Sequence, residues 1–125
     1  MNVVDSSAWL EYFANGPNAS FFATAIEQTD ELLVPSLTLY DVFKRILQQR
    51  DEGQALQAVA VMQQSTVVDL DGRIALDAAR ISCNNRLPMA DSIILATARA
   101  HSATIWTQDA DFKDLPGVQY RRRKP

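Results

Sequence analysis

Short β-branched runs and longer stripes of apolar residues at helical spacing take turns along this chain. Val3-Val4 begins a buried strand, with Asp5 at its carboxyl end. Ser6 or Ser7 then caps a helix whose apolar face holds Trp9, Leu10 and Phe13, and Asn15-Gly16-Pro17-Asn18 stops it. A second helix spans residues 19–28, and Leu32-Leu33-Val34 reads as a second strand ending at Pro35. Ser36 or Thr38 opens a longer helix, in which Leu39, Val42, Phe43 and Ile46 form one apolar stripe. Asp51-Glu52-Gly53 breaks it, and another helix carries Leu56, Val59, Ala60 and Met62.

Thr66-Val67-Val68 is a third strand. Asp71 caps the next helix, whose buried stripe is Ile74, Ala78 and Ile81 and which fades at Asn84-Asn85. Pro88 suits a helix start, and that helix runs through Ile93, Ile94, Ala96 and Ala98 to about Ala100. Thr104-Ile105-Trp106-Thr107 is a fourth strand with Asp109 just beyond it, and Val118-Gln119-Tyr120 is a short last strand. Strands alternating with helices predict an α/β sandwich with a mostly parallel central sheet of four to five strands. In such sheets ligands bind beyond the carboxyl ends of the strands, which places Asp5 and Asp109 on one edge.

The length of 125 residues fits one domain, and 47% hydrophobic residues are enough for a core. The only compositional shift is the basic tail in residues 121–125, Arg121-Arg122-Arg123-Lys124-Pro125. The net charge is −3, and without the four terminal cations it would be −7. An acidic body with a basic tail suits a metal site beside a local phosphate contact, and also a solvated terminus. Cys83 is the single cysteine, so neither an intrachain disulfide nor a cysteine-based metal site forms, and it reads as a small buried or half-buried apolar residue. The sequence has neither a signal-like leader nor a membrane-length apolar run, which points to a cytoplasmic protein.

Four acids carry the candidate chemistry: Asp5, Asp41, Asp91 and Asp109. Each has an ordinary explanation. Asp5 can be a helix cap, Asp41 an i,i+4 partner of Arg45, Asp91 a first-turn acid, and Asp109 an Asx turn, a part Asp111 can share. Ser92 and the nearby amides can position a phosphate or a water. Taken together, the acids suggest one carboxylate cluster built from distant parts of the chain. Carboxylate oxygens are hard ligands that suit Mg2+ or Mn2+. His101, the only histidine, ends a helix and reads as structural or solvated; no phosphate-binding glycine loop and no nucleophile elbow is present.

The segments Val4-Asp5-Ser6-Ser7-Ala8-Trp9-Leu10, Pro35-Ser36-Leu37-Thr38-Leu39-Tyr40-Asp41, Leu87-Pro88-Met89-Ala90-Asp91-Ser92-Ile93-Ile94-Leu95-Ala96-Thr97-Ala98 and Trp106-Thr107-Gln108-Asp109-Ala110-Asp111-Phe112 resemble the PIN domain. In particular they resemble the short VapC-type toxins of type II toxin–antitoxin systems. The resemblance runs from Val3 to about Val118 and implies a three-layer sandwich. It implies a Mg2+- or Mn2+-dependent endoribonuclease, with Asp5 and Asp91 as metal ligands, Asp109 completing the site and Asp41 orienting a water or a second metal. Asp111 is a looser accessory, and Thr107 or Ser6 would hydrogen-bond a ligand or phosphate. Relatives usually carry glutamate where Asp41 stands, and the shorter side chain implies reach through a water. The resemblance further implies an RNA substrate, a homodimer and a cognate antitoxin that blocks the site.

Two rival readings are a receiver-type signalling domain and a non-catalytic PIN-fold interaction module. The first lacks adjacent acids after the first strand and a lysine after the fourth, although Asp69 follows the third strand. RNA cleavage separates the second from an enzyme.

Overall fold

The computed structural model describes residues Met1–Pro125. Five strands form one sheet: β1 (Asn2–Val4), β2 (Leu32–Pro35), β3 (Thr66–Val68), β4 (Thr104–Thr107) and β5 (Val118–Tyr120), in the order β3-β2-β1-β4-β5. Every pairing is parallel, so the expected mostly parallel sheet is parallel throughout. The receiver-like doubly wound order is 2-1-3-4-5, so this order sets the signalling reading aside.

Six helices cover the sheet: α1 (Ser6–Phe13), α2 (Ala19–Ile26), α3 (Ser36–Gln49), α4 (Glu52–Met62), α5 (Gly72–Asn85) and α6 (Met89–Ala100). Side chains alternate across the short strands and feed two cores. Val3, Leu33 and Ile105 pack with Ile74, Ala78 and Ile81 of α5, Ile93–Ala96 and Ala98 of α6, and Phe112. Val4, Leu32 and Val34 pack with Trp9, Phe22, Val42 and Met62 on the other face. The result is the three-layer sandwich. In α6, Ser92 through Ala98 are all buried, as suits a helix covered on every side. No helix is long and apolar enough to cross a membrane.

Several local expectations change. Asp5, not Ser6 or Ser7, caps α1, because its carboxylate accepts from the Ala8 amide at 3.0 Å. Helix α2 ends at Ile26, and a 3-10 turn (Thr29–Glu31) leads into β2. Asp51 caps α4, which buries Ala55, Ala58 and Met62 while Leu56 is 55% exposed. Small residues on that face let α4 lie close to α3, a choice that apolar content alone points away from. Cys83 is exposed rather than buried. Asp71 caps α5 as expected, accepting from the Ile74 amide at 2.9 Å.

Candidate metal centre

The sheet order reverses at β1 and β4, and the two strands deliver their following residues to one crevice. The Asp5 amide bonds the Trp106 carbonyl at 3.1 Å, continuing the ladder past the strand ends. A cavity of about 420 Å³ opens there, with Asp5, Asp41, Asp91 and Asp109 all in its wall. The four acids singled out from the sequence therefore converge. Asp69 is exposed and lines no part of that cavity.

Their surroundings differ. Asp5 is 3% exposed, and both its oxygens are engaged. Oδ1 accepts from the Ser7 hydroxyl at 2.8 Å and the Ala8 amide, and Oδ2 accepts from the Thr107 hydroxyl at 2.6 Å. Each carboxylate oxygen has two lone-pair sites, so Oδ2 keeps one for a further partner. Burial pushes the Asp5 carboxyl up to about 6; the bonds from Thr107, Ala8 and Ser7 pull against that, and the charge of Asp109 adds to it.

The tightest group is Asp91, Asp109 and Asp111, whose ligand oxygens lie within 4.8 Å of one another. Asp111 thus moves from accessory to member of the closest trio, and Asp5 stands outside it. A local turn explains the change. Asp109 Oδ1 accepts from the Asp111 amide at 2.9 Å and caps the 3-10 turn Ala110–Phe112, which folds Asp111 back toward α6. Phe112 fills the core beneath. Burial pushes the Asp91 carboxyl up to about 7, followed by the charge of Asp109, a hydrogen bond with Asp111, and the charges of Asp111 and Asp5.

Asp41 accepts a 3.0 Å bond from the Ser6 hydroxyl. The ion pairs of the protein are Met1–Glu31 and Asp77–Arg80, so the Asp41–Arg45 pair does not form. Thr107 joins two acids, donating to Asp5 and accepting from the Asp109 amide at 2.9 Å. Ser92 is not available to a ligand, because it is buried and its hydroxyl turns back onto the Pro88 carbonyl at 2.8 Å. His101 is exposed at the end of α6, with Nδ1 3.0 Å from the Thr97 carbonyl.

Sequence reasoning missed a polar support beside the acids. Buried Asn18 donates to Gln108 Oε1 at 3.1 Å and to the Arg122 carbonyl at 2.9 Å. The Asn18 amide donates to Glu11 at 2.8 Å, and Glu11 also lines the cavity. The one signal for this group was an asparagine and a glutamine flanked by residues that enter the core.

Three close carboxylates repel one another, and a divalent ion with hard-ligand preference fits that donor set. Residues 3–118 match the PIN domain family. No curated protein matches the chain. Among solved structures, a toxin–antitoxin complex from Klebsiella pneumoniae is 20% identical, with 95% of this chain and 96% of that chain covered and a TM-score of 0.79. VapC20 of Mycobacterium tuberculosis, a sarcin–ricin loop cleaving toxin, is 13% identical over 94% and 97% of the two chains, with a TM-score of 0.80. VapBC2 from Rickettsia felis, bound to a DNA fragment from its promoter, is 11% identical over 97% of each chain, with a TM-score of 0.75. At these identities the likeness is one of fold. The sheet order, the acidic crevice at its switch point and the match over residues 3–118 agree: this chain belongs to the PIN domain family.

Proposed function

We propose that the protein is a Mg2+- or Mn2+-dependent endoribonuclease and the toxin of a type II toxin–antitoxin pair. The observation that carries this reading is the close trio Asp91, Asp109 and Asp111, of which Asp91 and Asp109 line the same crevice as Asp5 and Asp41. Burial and the neighbouring charges leave Asp91 partly protonated near neutral pH unless a cation relieves it. A bound divalent ion supplies charge neutralisation at the scissile phosphate and a more acidic water.

The residues then divide the work. Asp91 and Asp109 hold the cation, with Asp111 as a third ligand. Asp5 contributes the free lone pair of Oδ2, while Thr107 and Ser7 fix its orientation. Asp41, steadied by Ser6, orients the attacking water. Attack in line on phosphorus leaves a 5′-phosphate and a 3′-hydroxyl.

The solved relatives support the biological half of the reading, since they are described as toxin–antitoxin or VapBC complexes and as a sarcin–ricin loop cleaving toxin. A cognate antitoxin, a homodimer and a cytoplasmic setting belong to the same proposal. The test is cleavage of a mixed RNA pool in Mg2+ and in Mn2+, with wild type beside Asp91→Asn. The reading expects cleavage by wild type alone. A folded Asp91→Asn that cuts as well as wild type overturns the site assignment. A wild type that binds metal and leaves all RNA intact favours the non-catalytic PIN-fold module.

A further inference from the structure

The basic tail is tied down at the metal crevice. The Arg121 amide bonds the Thr107 carbonyl at 3.0 Å, extending β5 by one residue. The Arg121 guanidinium lies 4.2 Å from the ring centroid of Phe21, itself 5.1 Å from that of Trp106. The Arg122 carbonyl accepts one of the two donors of Asn18, which is 1% exposed. Both Asn18 side-chain donors are given to this junction, while its buried Oδ1 has no partner. The next residue, Arg123, enters the wall of the cavity that holds Asp5, Asp41, Asp91 and Asp109.

Arg123 is exposed and takes part in neither of the protein's ion pairs, despite the acids around it. It does not act as a built-in counter-ion for the carboxylates. Arg45 of α3, also exposed and unpaired, lines the same cavity. The two come from opposite sides of the switch point, Arg45 from the helix after β2 and Arg123 from the segment after β5. An acidic crevice repels a phosphodiester backbone, so a nucleic-acid substrate requires cationic groups at its rim.

We propose that Arg123, placed by the Asn18–Gln108 amide pair, is a substrate-binding residue that grips a backbone phosphate of single-stranded RNA beside the scissile bond, with Arg45 gripping the strand on the other side. This deepens and rests on the nuclease reading. Asn18 is a positioning residue, because it acts on the phosphate only through the tail.

The experiment uses the full chain and a fluorescein-labelled oligouridylate. In an Asp91→Asn background that leaves the RNA intact, anisotropy is read across a salt series for Arg123→Ala, Arg123→Lys, Asn18→Ala, a chain ending at Arg122, and Arg73→Ala as a surface control. Loss of one charge-assisted phosphate contact weakens binding about tenfold. It also lowers the salt slope by about 0.7. Arg123→Ala and the shortened chain should both show this, Arg123→Lys should keep part of the affinity, and Arg73→Ala should be unchanged. Asn18→Ala should follow Arg123→Ala, and made in the otherwise wild-type chain it should leave Mn2+ binding intact; if it fails to fold, the shortened chain carries the test. In the otherwise wild-type enzyme, Arg123→Ala should raise KM with kcat nearly unchanged. Unchanged RNA affinity and KM in Arg123→Ala overturn the proposal, and do so decisively if binding to a co-purified protein partner weakens instead. If the wild-type chain cleaves no RNA while affinity still depends on Arg123, the nuclease reading fails and the phosphate contact stands.

Discussion

Replacing Asp91 by asparagine should make the metal-free protein more stable, although it removes a residue from the proposed centre. In the fold, burial and the charges of Asp109, Asp111 and Asp5 raise the Asp91 carboxyl to about 7, against about 3.9 in an unfolded chain. The folded state therefore holds the proton more tightly than the unfolded state. Stability from this residue is fully present below about pH 4 and is lost as pH rises towards 7. A displacement of this size corresponds to about 4 kcal/mol between the two protonation states. Asp91 is only half-buried, and water and salt screen roughly half of that, leaving on the order of 2 kcal/mol. Asparagine mimics the protonated acid in shape and never ionises. In EDTA at pH 8 the variant should melt on the order of 5–10 °C above wild type, and the difference should shrink to little at pH 4.5. Mn2+ should then reverse the order by stabilising wild type more, since a ligand that binds only the native state raises its melting point. The assay is thermal unfolding followed by circular dichroism across pH, with and without Mn2+. A variant no more stable than wild type at pH 8 in EDTA, or a gain of equal size at both pH values, would refute the repulsion argument.

Two other changes probe the surroundings. Thr107→Val removes the 2.6 Å bond to Asp5 Oδ2 and should cost about 1–3 kcal/mol at pH 8 by urea denaturation. Because Asp5 already sits near 6 and would rise further, the penalty should fall by pH 5, and an equal cost at both pH values would contradict it. Arg86 ends α5 in the left-handed region at φ 55, so Arg86→Gly should raise stability by about 0.5–1 kcal/mol, and a lower melting point would count against backbone strain there.

Much of the layout was legible because it depends on local pattern. Val3-Val4, Leu32-Leu33-Val34, Thr66-Val67-Val68 and Thr104–Thr107 are short β-branched or apolar runs bounded by polar turns, and each is a strand. Their alternation with helices fixes a parallel sheet, and a parallel sheet places Asp5 and Asp109 on one edge. What the sequence hid depends on contacts across the fold. Asp111 joins the trio only because Asp109 bonds its amide, a turn whose direction the residue names do not give. Asn18 and Gln108 are 90 positions apart, and polar residues carry no periodicity that would pair them. Helix α4 misled for a different reason: Leu56 outweighs Ala55 and Ala58 in hydropathy, while close approach to α3 favours the smaller side chains.

The acids of the crevice differ in how far the protein itself satisfies them, and that difference indicates where a cation belongs. Asp5 is wrapped by three donors, and Asp41 has one from Ser6. Asp91 receives no donor from a neutral group and faces Asp109, Asp111 and Asp5 instead. A buried or half-buried carboxylate without donors is costly to ionise, so a fold that keeps one is strained in its favourable state until something positive arrives. The hydrogen bonds on Asp5 hold its position without cancelling its charge, which suits a residue that must be aimed before the cation binds. Thr107 couples the two conditions through one hydroxyl, bonding the satisfied acid on one side and the backbone of the unsatisfied turn on the other. The crevice is therefore ordered by neutral donors around Asp5 and left electrostatically incomplete around Asp91, and the divalent ion of the proposed function would complete the second part without disturbing the first.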